Sequence, residues 1–190
     1  MAIGINEFRA GFNGTRPNRF KVSFDEVPAG VPGAPDSLDL YVKATSVPGS
    51  SIGVIPTPWM GRVIKFSGER TFADWTIQVY DSSNPSVNLR TFFEGWIDSM
   101  DSRNTHNINY KNVGSAKVKW NDISGNTGVG IHSNQEAFNS VITLRNCFPI
   151  DISAMELSYD AVDTFAEFTI TLAYDYWEVD AGGFVGPPQG

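Results

Sequence analysis

Ser67-Gly-Glu-Arg-Thr-Phe-Ala-Asp-Trp-Thr-Ile-Gln-Val-Tyr80 decides the fold class, and Leu172-Ala-Tyr-Asp-Tyr-Trp-Glu178 echoes it near the other end of the 190-residue chain. Ala73, Trp75, Ile77 and Val79 alternate with Phe72, Asp74, Thr76 and Gln78, the period-2 pattern of a strand with one dry and one wet face. Neither run carries a catalytic constellation. A chain whose clearest segments are half-buried strands points to a protein that works by shape and assembly.

Further strands are predicted on both sides of these runs. Phe20, Val22 and Phe24 alternate with polar residues after the turn-like Arg16-Pro-Asn18, and Leu38, Leu40, Val42 and Ala44 predict a second strand ending at Val47-Pro-Gly49. Pro28 to Pro35 is a loop by its proline and glycine content. Ser50 to Pro58 is apolar but punctuated by proline, an extended connector with Ile52, Val54 and Ile55 on it and no helical period. Trp59 to Phe66 predicts a third strand, with a turn at Ser67-Gly68 before the fourth. Shorter strands are expected at Ala116 to Trp120 and Phe138 to Ile150, the latter limited by Pro149 to an edge or an end. Thr164 to Glu178 predicts one last strand with Phe168, Ile170, Leu172, Tyr174 and Tyr176 on one face. The single helix is expected after Asn84-Pro85, which supply an N-cap and an N1 proline. Leu89, Phe92, Phe93, Trp96, Ile97 and Met100 then form its core-facing stripe.

The predicted architecture is therefore mainly β: an antiparallel β-sandwich or partial barrel with one packed helix. One domain is expected over residues 1–180, with a loop insertion near 28–36 and a flexible tail at 181–190.

The residue types that could carry chemistry read as structural. His106 and His132 have no second ligand at metal spacing, Cys147 lies in an apolar pattern that suits a buried inert thiol, and Gly125-Asn-Thr-Gly-Val-Gly130 lacks the Lys-Ser/Thr of a phosphate loop. Acid pairs such as Asp160 and Asp163 arise by chance in so acidic a segment. No enzyme activity, metal or cofactor is expected. A single cysteine excludes an internal disulfide framework, and neither a signal peptide nor an apolar run of membrane-spanning length is present, so a soluble protein of a reducing cytoplasm is expected.

The formal net charge is −7, unevenly spread. From Asp151 to Gly190 there are eight acids and no Lys or Arg, leaving 13 acids against 14 bases in the first 150 residues. Such a chain has no basic footprint with which to grip nucleic acid.

Five blocks, in order and spacing, resemble the tail tube proteins of contractile-tailed bacteriophages. They are Arg16-Pro-Asn-Arg-Phe20, Lys43-Ala-Thr-Ser-Val-Pro48, Trp59-Met-Gly-Arg62, Gly68 to Val79, and Leu172 to Glu178. The loop at 28–36, residues 101–137 and the tail beyond Glu178 depart from the pattern. The resemblance implies a β-sandwich subunit in six-membered rings whose inner wall is a continuous β-barrel. The rings would stack into a hollow tube inside a contractile sheath, through which viral DNA enters the host. It implies as partners its own copies, the sheath, baseplate, tail-terminator and tape-measure proteins, and a place in the virion after assembly in the host cytoplasm. DNA would pass without specific binding, and the chain would not insert into a membrane.

Two sets of residues become candidates on that basis. Ile52, Val54 and Ile55 are expected to mediate stacking between rings, with a loop folded over its own sandwich as the alternative. Asp74, Glu167 and Asp175, on wet strand faces, are expected to face the lumen. Six copies would carry 6 × −7 = −42 formal charges, and acids on the wall would keep DNA from adhering. Two alternatives stay open: the tube of a secretion or contractile injection particle, and a ligand-binding β-sandwich.

Overall fold

The computed structural model describes residue 5 and residues 17–31, 38–82, 84, 87–122 and 138–180. The expected tail at 181–190, much of the loop at 28–36, Arg16, Pro85, the glycine-rich 125–130 segment and His132 lie outside the described residues.

Among the described residues, nine strands and two helices follow in the order β1 (Phe20–Glu26), α1 (Leu38–Tyr41), β2 (Val42–Thr45), β3 (Ser50–Trp59), β4 (Arg62–Phe72), β5 (Trp75–Tyr80), α2 (Leu89–Met100), β6 (Gly114–Asp122), β7 (Phe138–Ile152), β8 (Glu167–Ala173) and β9 (Tyr176–Val179). All pairings are antiparallel. Seven strands form one sheet in the order β1-β6-β7-β8-β5-β2, with β9 on the flank of β7, while β3 and β4 form a separate hairpin. The long strand β7 joins two halves: its first part pairs with β6 and β9, and its last residues, Phe148 to Ile152, pair with β8. Asn146, with a φ of 54°, bulges between Arg145 and Cys147 in the pairing with β6, and the change of partner to β8 follows at Phe148. An antiparallel β-sandwich with a packed helix was the sequence-based expectation, and this is the architecture found.

The core lies between the two halves. One supplies Val22, Ala116, Val118, Ile142 and Leu144, the other Trp75, Ile77, Val79, Phe168, Ile170 and Leu172, all buried. Helix α2 closes the gap with Leu89, Phe92, Phe93 and Trp96. Phe24 meets three of these rings edge-on at centroid distances of 5.6 to 6.2 Å, contacts each worth about 1 kcal/mol beyond burial. Gly114 makes this packing fit, because a Cβ there would lie 2.3 Å from the Glu26 carbonyl oxygen and 2.9 Å from the Trp96 ring.

Several boundaries differ from expectation. The second strand begins at Val42, and Leu38 to Tyr41 form a helical turn. Leu38 and Val42, four residues apart, are both buried, whereas Leu40 is 76% exposed, so helical spacing prevails over the alternation. The cap of the Leu89–Met100 helix is Asn88, whose side chain accepts a 2.9 Å bond from the Thr91 N–H; the Asn84 carbonyl accepts from Val87 in the preceding turn. The expected last strand is two strands. At Tyr174-Asp175 the chain leaves β5 and crosses to β7, where the Asp175 N–H donates to Arg145 and its carboxylate accepts from Asn146 at 2.6 Å. That crossing reverses the faces, so Tyr176 is exposed and Trp177 packs on the core. Pro149 pairs only with β8 on its side of the sheet, consistent with an edge.

Candidate assembly interface

The connector at Ser50 to Pro58 is a strand, and the turn expected at Ser67-Gly68 is absent. Residues 50–72 form one long hairpin whose turn is Met60-Gly61, with φ values of 45° and 76°. Positive φ at both central residues is the type I′ geometry that matches strand twist. Pairing runs from Trp59↔Arg62 down to Ser50↔Phe72, interrupted by a bulge where Gly53 faces Gly68 and Glu69. The glycines serve that bulge: a Cβ on Gly68 would lie 3.1 Å from the Gly53 carbonyl carbon.

This hairpin is an arm. Every residue of β3 and nearly all of β4 are exposed. Among the described residues its packing is almost entirely between its own two strands. The register assigns Ile55, Trp59, Ile64 and Phe66 to one face and Ile52, Val54, Pro56, Pro58 and Val63 to the other. Both faces are thus apolar and uncovered; Trp59 and Val63 are 62% and 63% exposed. Of the three residues expected to mediate stacking, Ile52 and Val54 share a face and Ile55 lies on the opposite one. Trp59, Val63, Ile64 and Phe66 were missed. Their signal was the Met60-Gly61 turn between two runs of similar length. Pro56 and Pro58 cannot donate to a ladder, so they sit where the β3 backbone faces away from β4 and they block strand addition along that edge.

The root of the arm is fixed by Phe72 and Trp75 on one side and by Leu172, Tyr174 and Trp177 on the other. The Phe72 ring meets Tyr174 at 6.0 Å and Trp177 at 6.3 Å, and Trp75, paired with Leu172, donates its indole N–H to the Ser46 carbonyl at 2.9 Å.

The three expected lumen acids are not brought together. Asp74 and Asp175 lie at one end of the β5–β8 pair, and Glu167 lies at the other, since Trp75 pairs with Leu172 and Tyr80 with Glu167. Glu167 is ion-paired with Lys43 and accepts from the Gln78 amide at 3.2 Å. This contact raises the Lys43 pKa, chiefly through the hydrogen bond. Burial of the phenol raises the Tyr174 pKa, and the exposed Asp74 carboxylate adds to it. Between the ends, the outer face of β5 and β8 shows Thr76, Gln78, Thr169, Thr171 and Ala173. That face is polar and mostly neutral.

The opposite half carries alternating charge. Lys117 binds Asp25 at 2.6 Å and lies 3.6 Å from Asp180, and Arg145 binds Glu178 at 2.5 Å. Part of the C-terminal acidity is thus neutralised by bases from the middle of the chain. Among the described residues no group of three or more His, Cys, Asp or Glu could hold a metal ion. Burial pushes the Cys147 thiol up to about 12.

A sequence profile described as phage tail tube protein matches residues 15–180. The chain is 25% identical over 163 residues to the tail tube protein gp19 of Enterobacteria phage T4, covering 86% of this chain and 90% of that protein. It is 24% identical over 176 residues to a tail tube protein of Serratia phage KSP90, covering 90% and 93%. Among solved structures, the cryo-EM structure of an extracellular contractile injection system, PVC sheath/tube terminator in extended state, is similar with a TM-score of 0.61. It is 14% identical, with 90% of this chain and 99% of that one covered. The sheath-tube complex of the same system has a TM-score of 0.58 at 14% identity, covering 95% and 99%; both likenesses concern the fold. The profile spans both halves of the sandwich, the arm and the two signature stretches together, and the chain belongs to the phage tail tube protein family, as a structural subunit of the virion tail and not an enzyme.

Proposed function

We propose that this subunit closes into six-membered rings that stack into a hollow tube inside a contractile sheath, with viral DNA passing down the bore. The observation that carries this reading is the β3–β4 arm. An arm apolar on both faces, free of its own domain, is a surface awaiting a protein partner. A second copy fits, because a heterologous contact that does not close grows a filament, while one that closes on rotation makes a ring. The arm, through both Ile52/Val54 and Ile55, is the stacking device.

The outer face of β2, β5 and β8 is the bore wall. Its threonines and glutamine are polar without being cationic, and its nearest cation, Lys43, is held by Glu167. A wall without free Lys or Arg gives DNA no phosphate contacts to break during ejection. Asp74 and Asp175 then mark one rim of each ring and Glu167 the other. The sheath outside, the baseplate at one end, a terminator at the other and a tape-measure protein within complete the assembly, and the protein resides in the virion.

Electron microscopy of the purified protein tests this reading. Six-fold rings or tubes are expected; monomers at every concentration would refute it. Replacing residues 54–67 by an Asn-Gly turn keeps Ser50 to Ile52 paired with Arg70 to Phe72, and rings without tubes are expected. Tubes of normal length from that variant would remove the stacking role.

A further inference from the structure

The C-terminal acids fall into two groups. Glu167, Asp175, Glu178 and Asp180 bind Lys43, Asn146, Arg145 and Lys117. Asp151, Glu156, Asp160 and Asp163 have no ion pair among the described residues. The last three lie on the segment 153–166 between β7 and β8, which contains no Lys or Arg. That segment is also apolar at its surface: Leu157, Tyr159, Val162 and Phe165 are each at least 80% exposed.

The segment is tied at both ends. Ser153 donates to the Thr169 carbonyl at 2.9 Å, Asp81 donates to the Ala166 carbonyl at 2.8 Å, and Phe165 packs edge-on against Tyr80 at 6.2 Å. A hollow opens beneath it, floored by Lys43 and Glu167 and walled by Tyr80, Leu157 and Phe165. Its one cation, Lys43, is already paired.

The arm has the opposite character. Arg62, Lys65 and Arg70 outnumber the single acid Glu69, are exposed, and have no ion pair among the described residues. The apolar side chains of both arm and loop are uncovered, so the two do not cover each other within one chain. Unpaired cations among apolar residues on one surface match unpaired acids among apolar residues on the other. Such matching steers encounter and fixes register.

We propose that the 153–166 loop of one subunit is the receptor for the β3–β4 arm of a neighbouring subunit. This rests on the reading that the chain polymerises through its arm. It adds the surface that receives the arm, and it gives the unpaired C-terminal acids a role in assembly distinct from the bore wall.

A charge swap tests it. Asp160→Lys/Asp163→Lys, and separately Lys65→Glu/Arg70→Glu on the Val63 face of the arm, are expected to raise the critical concentration for tubes by about tenfold or more, with unchanged circular dichroism. Combining all four substitutions in one chain should bring it back to within about threefold of the unaltered protein. A second chain carrying Val63→Cys and Val162→Cys should give covalent multimers on oxidation. Failure of the unaltered chain to form tubes would overturn the polymerisation reading and this proposal with it. Tubes from the unaltered chain, but neither rescue by the swap nor cross-linking, would overturn the receptor assignment alone. Normal tubes from Asp160→Lys/Asp163→Lys would overturn it as well.

Discussion

Replacing Trp59 by Ser separates the stability of the subunit from that of the assembly. Trp59 sits beside the hairpin turn and is 62% exposed. An aromatic side chain offers about 200 Å² for burial, so roughly 120 Å² remains uncovered in the subunit. At about 25 cal/mol per Å², covering that surface against a neighbour contributes about 3 kcal/mol per contact. The subunit itself loses little from Trp59→Ser, since exposed substitutions usually lie within about 0.5 kcal/mol. Urea denaturation of the subunit followed by tryptophan fluorescence, in which Trp75 and Trp96 report the core, should give an unchanged midpoint. The critical concentration for tubes, read by sedimentation, should rise about a hundredfold, because every 1.4 kcal/mol is tenfold. A lowered urea midpoint with unchanged polymerisation would refute the reasoning, since it would mean that the arm packs on its own domain.

Gly114→Ala should destabilise the subunit by about 3 kcal/mol or more, because the new methyl meets the Glu26 carbonyl and the Trp96 ring; scanning calorimetry should show a melting temperature about 6–12 °C lower. Cys147, raised to about 12 from 9.0 by burial, stays protonated in the fold. An unfolded thiol ionises earlier, so this group's contribution is fully present below pH 9 and is lost as pH rises from 9 toward 12, by up to about 1.4 kcal/mol per pH unit. Its thiol should resist a disulfide reagent at pH 8 until denaturant is added, and rapid native labelling would contradict the burial. Glu167→Gln frees Lys43 on the proposed bore wall. Tubes of this variant should retain DNA more strongly, with retention falling as salt rises. Retention equal to that of the unaltered tube would place Lys43 elsewhere.

Strand existence was legible wherever one face is buried. Trp75, Ile77 and Val79 read correctly because burial alternates residue by residue along β5, and the α2 stripe read correctly because Leu89, Phe92, Phe93 and Trp96 face one core. The arm was misread for the converse reason. Both of its faces are apolar and neither is buried in the subunit, so alternation carries no information, and its prolines suggested a loop. The break at Tyr174-Asp175 was invisible because apolar residues continue through it while the chain changes partner strand.

The sequence by itself determined the mainly β class, the long helix Leu89–Met100, the dry face of Trp75, Ile77 and Val79 and the absence of a catalytic motif, because each is written in local periodicity or residue type. Only the tertiary structure decided that residues 50–72 leave the body as an arm, that Asp74 and Asp175 lie at the opposite end from Glu167, and which C-terminal acids remain unpaired. Those depend on which distant residues meet, as Lys43 meets Glu167 and Arg145 meets Glu178. Pairing between residues more than thirty positions apart is set by strand order and register, which no local pattern records.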